Sequence, residues 1–452
     1  MSRGANAGPS YFDGTKIGNT QKKFLWLAAL VYFFDQMDNG TFSYAVPALI
    51  KNWGITTAQV AHVNSLNYFG MFLGAVFGGW LSDRIGRKKA MLTGILTFSL
   101  GSLGNAFATS FPVMAGARLV TGFGVVATVI VAMVYIAEML PSENRGRYQS
   151  LTIACGTIGI PMCALFARWV VPMGPETWRY VFVLGSCGIF LALLGFFWFK
   201  ESPRWLVSKG RIEEAENLVE EITGQKVDLR AVSIKEVKKV GNIEALRVMF
   251  SKEYIKRTLV LGTLGLGINL GIFFIGTFYT TMLTKIGLPV ATVLTIAAIS
   301  DWGSPAGDLT SSFFVDKGGR KIPIVVFCVI AGALSIVCGM STLPILVVIT
   351  LTVHRIFRAG SLVMFWSYLA ESFPTHIRSN ASGFVFGSGR LAAALSQFAL
   401  PVLWANYGWA GLNTINGLFF ILPAILVLFL GEKTGKRTLE ELNEERTGSA
   451  TA

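Results

Sequence analysis

Eight ionisable side chains interrupt stretches that are otherwise apolar: Asp35, Asp38, Arg118, Asp301, Asp308, Arg355, Arg358 and Arg390. Holding a charge at the centre of a bilayer costs about 2.5–3.5 kcal/mol on insertion scales, so such groups mark function by default. Two chemistries suit them. A carboxylate beside a guanidinium, away from water, is pulled both ways: burial favours its neutral form and the neighbour its charged form. Rearranging the pair lets it take up or release a proton. An arginine with a free edge binds a carboxylate through two parallel hydrogen bonds. Nothing in the chain suggests a nucleophile with its base or a metal-ligand cluster. Gly122-x-Gly124 lies inside an apolar run with no strand before it, so it is not a nucleotide loop. No enzymatic activity, cofactor or metal is expected.

Depth decides which charges can meet. At about 1.5 Å per residue, Asp38 lies roughly 21 Å from the cytoplasmic start of its helix, and Arg118 about 30 Å from Glu138. Both fall in the outer half and can pair, with Asp38 carrying the proton and Arg118 tuning it. Asp35, one turn deeper, is the alternative carrier. The competing reading is a static ion pair. Arg358 and Asp301 both reach about 20 Å by the same rise. Asp301 is expected to pair with Arg355 or Arg358 as a structural contact, leaving the other arginine for an anionic ligand. Arg390 lies about 18 Å up its helix from Arg378, and is expected to hold a substrate carboxylate. Asp308, closer to the cytoplasm, belongs to an inner gate or faces water. His354 reads as a satisfied core histidine, and His62 and His376 lie near span ends.

The elements that position these groups are long apolar helices. The chain is 452 residues, 52% hydrophobic and only 14% charged, against about 25% charged in soluble domains. The 49 Gly and 34 Phe suit helices packed in lipid. Runs of about twenty apolar residues fall near 24–50, 62–81, 90–110, 113–138, 149–171, 179–199, 257–282, 290–314, 322–341, 343–370, 380–404 and 409–431. The basic residues cluster in alternate connections, so the net charge of +13 reads as topology rather than nucleic-acid binding. Both termini are expected in the cytoplasm, and the polar N-terminus has no cleavable signal. Cys155, Cys163, Cys187, Cys328 and Cys338 all fall in apolar spans and read as small core residues.

The polar loops repeat. Gly78-x-x-x-x-Asp83-Arg84-x-Gly86-Arg87-Lys88 returns in reduced form at Asp316 to Lys321. Glu138-x-x-Pro141-x-x-x-Arg145 returns as Glu371-x-x-Pro374-x-x-x-Arg378. The two repeats share one offset, since 316 − 83 equals 371 − 138. One unit occurring twice points to a transporter with its site between the halves. Arg87 and Arg145 are expected to bridge to Glu138, and Arg320 and Arg378 to Glu371. Asp83 is expected to accept from backbone N–H groups at a helix end. The plan is a cytoplasmic segment 1–23, a six-helix bundle 24–199, a linker 200–256, a second bundle 257–431 and a tail 432–452. An amphipathic helix is predicted over 211–222 and another near 233–250.

These motifs resemble the major facilitator superfamily, over about residues 24–440. The Gly78–Lys88 stretch is similar to that superfamily's loop between helices two and three. Lys200-Glu201-Ser202-Pro203-Arg204-Trp205-Leu206 is similar to the segment after helix six in sugar porters and organic-ion transporters. Trp366 matches a sugar-porter position, but Ile153, Ile268 and Phe274 stand where sugar porters carry sugar-binding polar residues. Only Asn269 there is a plausible sugar hydrogen-bonder. Asp35-x-x-Asp38, and Glu371-Ser372-Phe373-Pro374 with Arg378 and Arg390, resemble signatures of aromatic-acid symporters and organic-anion transporters.

The resemblance implies an all-α membrane protein of twelve transmembrane helices in two pseudo-symmetric six-helix bundles. It implies proton-coupled symport by rocker-switch alternating access, with Asp83, Arg84, Gly86, Arg87, Glu138, Arg145, Asp316, Arg320, Glu371 and Arg378 gating the cytoplasmic side. The cargo expected from the buried charges is a small organic anion, a mono- or aromatic carboxylate. Arg390, Arg358, Arg355, Asp301, Asn269, Tyr44, Tyr279 and Trp366 are the candidate substrate contacts. Tyr68, Phe273, Phe274 and Phe278 are further aromatics that can line a ring pocket. The expected partners are that anion, protons and the bilayer, with no nucleic acid, and the expected state is a monomer in a bacterial inner membrane. A sugar or polyol porter, and a non-transporting sensor on the same fold, are the alternatives.

Overall fold

The computed structural model describes residues 11–13, 15, 17–225, 229, 242–315, 320–373 and 375–432. At a few of these, Arg145 and Arg378 among them, it describes only the backbone. Asp316, Pro374 and the tail beyond Glu432 lie outside the described residues, as does most of 226–241. Within them every regular element is helical.

Each apolar run forms helix. The first four are α1 (Asn19–Trp53), α2 (Thr57–Ile85), α3 (Arg87–Ala106) and α4 (Phe111–Met139). The fifth is divided into α5 (Ser142–Thr157) and α6 (Gly159–Val170), and the sixth into α7 (Arg179–Ser186) and α8 (Gly188–Trp198). Three short helices follow: α9 (Pro203–Ser208), α10 (Ile212–Thr223) and α11 (Asn242–Met249). Ser202 caps α9 by accepting from the Trp205 N–H at 3.3 Å. Pro203 stands in the first turn, where its missing N–H costs nothing. The amphipathic reading of 211–222 is α10, closed by Gly224 at φ 73°. The described part of the second predicted linker helix is α11.

The later runs are α12 (Ile255–Phe273) with α13 (Tyr279–Lys285), α14 (Val290–Ser300) with α15 (Gly303–Val315), then α16 (Lys321–Gly339), α17 (Pro344–Ser372) and α18 (Thr375–Leu430). Gly408, at φ 59°, breaks α18 near the boundary predicted between the last two spans. Seven helical stretches among the described residues are long and apolar enough to cross a membrane, the last of them 51 residues long. The eighth predicted run falls short in pieces because its helix breaks at Asp301 and Trp302. Breaks inside an apolar run free backbone groups that need partners. Between α12 and α13 they are supplied. Gln397 Nε2 donates to the Phe273 and Phe274 carbonyls at 3.3 and 3.2 Å, and Ser43 Oγ to the Thr277 carbonyl at 3.0 Å.

Two compact units emerge. The first comprises Met1–Asn39, Phe69–Gly159 and Phe182–Val237. The second comprises Gly40–Tyr68, Ile160–Val181 and Lys238–Ala452. In the first, α2 lies on α4 through three glycines spaced four apart. A Cβ on Gly70 would stand 2.2 Å from the Leu119 carbonyl oxygen, on Gly74 2.4 Å from that of Phe123, and on Gly78 2.8 Å from the Ala127 Cα. Only hydrogen fits such an approach, which is how helices gain contact where lipid supplies no hydrophobic drive. Gly74→Ala must push the two backbones apart. It should lower the melting temperature in detergent through a loss of about 1–3 kcal/mol. A neighbouring Gly79→Ala, with open space around its Cβ, should not.

Candidate functional site

In the first unit α1 and α4 bring together the two charges that depth arithmetic paired. Asp38 Oδ2 lies 3.3 Å from Arg118 Nη1, and both side chains are almost wholly buried (1% and 2% exposed). Asp38 Oδ1 accepts from Ser102 Oγ on α3 at 2.7 Å. The same hydroxyl stands 3.0 Å from the Phe182 carbonyl oxygen on α7. Asp35 is equally buried one turn earlier on α1, and its backbone carbonyl accepts from Asn39 Nδ2 at 3.2 Å. Ser102 carried no signal in the sequence; a serine in an apolar run is ordinary.

Among the loop groups Arg87 meets Glu138 and Arg320 meets Glu371, while Asp83, expected at backbone N–H groups of a helix end, accepts from the Arg87 side chain. Arg87 donates from Nε and Nη2 to the two oxygens of Glu138, each at 2.9 Å, and from Nη1 to Asp83 Oδ1 at 2.9 Å. Burial pulls the Arg87 guanidinium towards its neutral form. The hydrogen bonds and charge of Glu138 outweigh that, and hold it above its ordinary value. Arg320 Nε reaches Glu371 Oε1 at 2.8 Å. The Arg145 and Arg378 side chains and all of Asp316 lie outside what is described. Arg84 packs over the Trp80 ring, 5.3 Å from its centroid.

A residue without an assigned role supplies the carboxylate at the start of α3. Glu201 Oε1 accepts from the backbone N–H groups of Arg87 at 2.7 Å, Lys88 at 3.2 Å and Ser202 at 3.0 Å. A carboxylate there meets the positive end of the helix dipole. Gly86 makes the approach possible: its φ is 99°, and a Cβ would stand 2.3 Å from Glu201 Oε2. Trp205 Nε1 donates to the Asp83 carbonyl at 3.0 Å. The only hint of this in the sequence was the motif around Glu201 itself.

The second unit holds the other charges. Asp301, at the break between α14 and α15, is paired through Oδ1 with Arg355 Nη1 of α17. Its Oδ2 accepts from the Tyr44 hydroxyl at 2.7 Å. The Arg355 guanidinium also lies 5.4 Å from the Tyr279 ring centroid. Arg358, one turn on, donates from Nη2 to Ser304 Oγ at 3.2 Å, and its buried Nε has no hydrogen-bond partner among the described residues. Asp308 is half-buried on α15. His354 is a core histidine whose Nδ1 bonds the Ala331 carbonyl at 2.8 Å.

Arg390 of α18 is clasped by aromatic rings. Its guanidinium carbon lies 4.1 Å from the Phe273 centroid and 4.9 Å from that of Phe386. Phe386 continues to Trp366 at 5.7 Å, and Phe273 to Tyr68 at 5.3 Å. Asn269 packs on Gly389, where a Cβ would meet its Cγ at 2.7 Å, and it bonds the Gly265 carbonyl at 2.9 Å. Ile268 is fully buried, and Phe274 packs edge-on against Phe419. Phe386 escaped the sequence reading because one more phenylalanine among 34 carries no signal.

A line of polar contacts in the same unit joins the ends of early helices to later ones. Besides Tyr44 and Ser43, the Tyr68 hydroxyl stands 3.0 Å from Thr277 Oγ1. Arg168 Nε donates to Thr295 Oγ1 at 2.6 Å, and Lys285 Nζ to Thr57 Oγ1 at 3.2 Å.

The chain matches the family model described as sugar (and other) transporter over residues 20–445. It belongs to that family, has the fold of the major facilitator superfamily, and is an integral membrane transporter rather than an enzyme. It is 30% identical to the metabolite transport protein YyaJ of Bacillus subtilis (strain 168) over 435 residues, covering 94% of this chain and 96% of that one. It is 26% identical to the niacin transporter NiaP of Acinetobacter baylyi over 437 residues, covering 96% and 99%. Among solved structures, a D-xylose-proton symporter superposes with a TM-score of 0.73 at 18% identity, covering 92% and 99%.

The Tyr44–Asp301 bond is a charge-assisted contact between segments far apart in sequence. Removing one such donor costs about 1.5–3 kcal/mol, or roughly tenfold and more in a two-state population. Tyr44→Phe should therefore raise, about tenfold, the rate at which a Thr280→Cys thiol reacts with an impermeant maleimide. An unchanged rate would mean that the Tyr44–Asp301 bond does not limit access to position 280.

Proposed function

We propose that the protein is a proton-coupled symporter of a small organic anion, a mono- or aromatic carboxylate, working by rocker-switch alternating access. The observation that carries this is an arginine of α18, Arg390, set beside two aromatic rings, 4.1 Å from the Phe273 centroid and 4.9 Å from that of Phe386. A guanidinium binds a carboxylate bidentately. Trp366 and Tyr68 extend the aromatic lining, which suits a planar cargo. Arg358, with its Nε unpartnered among the described residues, is a second cation for the anion, while Arg355 is occupied by Asp301. The similarity to a niacin transporter supports the same class, since niacin is an aromatic carboxylate.

Asp38 carries the coupling proton, with Asp35 as the other candidate and Arg118 as the tuning cation. An anion and a proton then cross as a neutral pair. Asp83, Arg87, Glu138 and Glu201, with Arg320 and Glu371, hold the cytoplasmic side together while the site faces out, and Arg145, Asp316 and Arg378 complete that set. The sequence halves 24–199 and 257–431 are the bodies that move. The basic connections place both termini in the cytoplasm of a bacterial inner membrane. A sugar or polyol porter is less favoured, because Ile268 and Phe274 are buried apolar groups where sugar hydrogen-bonders would be needed.

Purified protein should be stabilised against heat by aromatic carboxylates such as nicotinate or 4-hydroxybenzoate, more at pH 5.5 than at 7.5. Arg390→Ala should weaken that binding at least about tenfold. Stabilisation by sugars alone, undiminished in Arg390→Ala, would replace the anion reading with the sugar one. In proteoliposomes, Asp38→Asn should lose accumulation driven by a proton gradient and keep exchange of internal for external substrate. Accumulation at the normal level would exclude Asp38 as the carrier.

A further inference from the structure

One hydroxyl in the first unit faces two oxygens. Ser102 Oγ is 2.7 Å from Asp38 Oδ1 and 3.0 Å from the Phe182 carbonyl oxygen. Ser102 and Phe182 are both fully buried. A serine hydroxyl has one hydrogen to donate and two lone pairs to accept with. Short of sharing that hydrogen weakly between them, it makes a full bond to both oxygens only if one of them carries a hydrogen, and a backbone carbonyl never does. With Asp38 ionised, the Ser102 hydrogen goes to the carboxylate, and the carbonyl faces a lone pair. With Asp38 protonated at Oδ1, the acid donates to Ser102 and Ser102 donates on to Phe182. The proton comes from a hydronium ion: one of its O–H bonds breaks, an O–H bond forms at Asp38 Oδ1, and a water molecule is left.

We propose that Ser102 is a positioning residue that reads the protonation state of Asp38 and reports it to α7 by switching its own hydrogen from Asp38 to the Phe182 carbonyl. Among the described residues Arg118 from α4 pairs with Asp38 and Asp35 stands one turn earlier on α1 itself, while α3 and α7 bring the hydroxyl and the carbonyl. The two oxygens have meaningful places in the chain. Asp38 is followed by Asn39, where the first unit passes into the second, and Phe182 is the residue at which the chain re-enters the first unit. A hydrogen moved between them is thus moved between two crossing points. This rests on Asp38 being the proton carrier, as proposed above.

Asp38→Asn fixes the protonated pattern: its amide oxygen can face Arg118 and its amide N–H can donate to Ser102. Hydrogen exchange of backbone amides in 179–187 would be measured at pH 8.5 in wild type and Asp38→Asn, each with Ser102, Ser102→Ala or Ser102→Cys. With Ser102 present, exchange in Asp38→Asn should be about three- to tenfold slower than in wild type, as expected for one added bond. With Ala or Cys the two backgrounds should coincide, and the Cys variant answers if Ala fails to fold. Equal exchange in the two Ser102 proteins would overturn the proposal, as would a difference that survives in Ala or Cys. A plain packing role for Ser102 would shift both backgrounds equally. Should Asp38→Asn still accumulate substrate on a proton gradient, the coupling reading fails on that measurement, while the exchange data decide the Ser102 relay separately.

Discussion

The structure depends on the cost of taking a carboxylate out of water. An ionised acid in a low-dielectric interior is held only if an opposite charge and hydrogen-bond donors come with it. The protein meets this twice with the same device. Asp38 has Arg118 and a serine hydroxyl; Asp301 has Arg355 and a tyrosine hydroxyl. In each case the arginine comes from a long helix ending in a loop acid, Glu138 or Glu371. The hydroxyl comes from a different helix, so each carboxylate fixes three elements at once. Such pairs add little net stability. They are costly to keep and costly to break singly, which is the property a proton-dependent conformational change needs.

The internal repeat is obeyed in one place and broken in another. Arg87 with Glu138, and Arg320 with Glu371, are each separated by 51 residues and form the same contact in each half. The buried pairs do not repeat. At the offset that relates the two sets of loops, Asp38 and Arg118 correspond to Gly271 and Leu351, and Asp301 and Arg355 to Tyr68 and Gly122. A charge duplicated without a task would be removed for its cost in lipid.

Much of this was legible before the structure. Helix length and apolar runs gave the elements, because in a bilayer every backbone group must be satisfied within the segment. The rise per residue placed Asp38 and Arg118 together in the outer half, and Asp301 level with Arg358, with Arg355 or Arg358 open as its partner; the structure joins Asp301 to Arg355. What could not be read was of two kinds. Glu201 reaches the start of α3 from more than a hundred residues away, through a gap that only Gly86 leaves. Distance in sequence hides such a contact. Ser102, Phe386 and Gln397 are residue types that apolar helices use everywhere, so their roles depend on facing an acid, a guanidinium or a broken helix. The breaks at 274–278 and at Asp301 were likewise invisible, since the composition on both sides is continuously apolar.

The break between α12 and α13 links the surroundings of Arg390 to the contacts of Ser43. Three carbonyls there, those of Phe273, Phe274 and Thr277, are served by side chains from other helices. Gln397, seven residues past Arg390 on α18, serves Phe273 and Phe274, while Ser43 serves Thr277. The ring of Phe273 meanwhile lies against the Arg390 guanidinium. One short irregular segment therefore carries a ring that shapes the cation and carbonyls that anchor the end of α1. Phe273 thus touches Arg390 through its ring and Gln397 through its carbonyl, in the same segment that Ser43 bonds. Discontinuous helices in membrane carriers are held this way, since polar backbone at depth is tolerated only where it is bonded to protein or cargo.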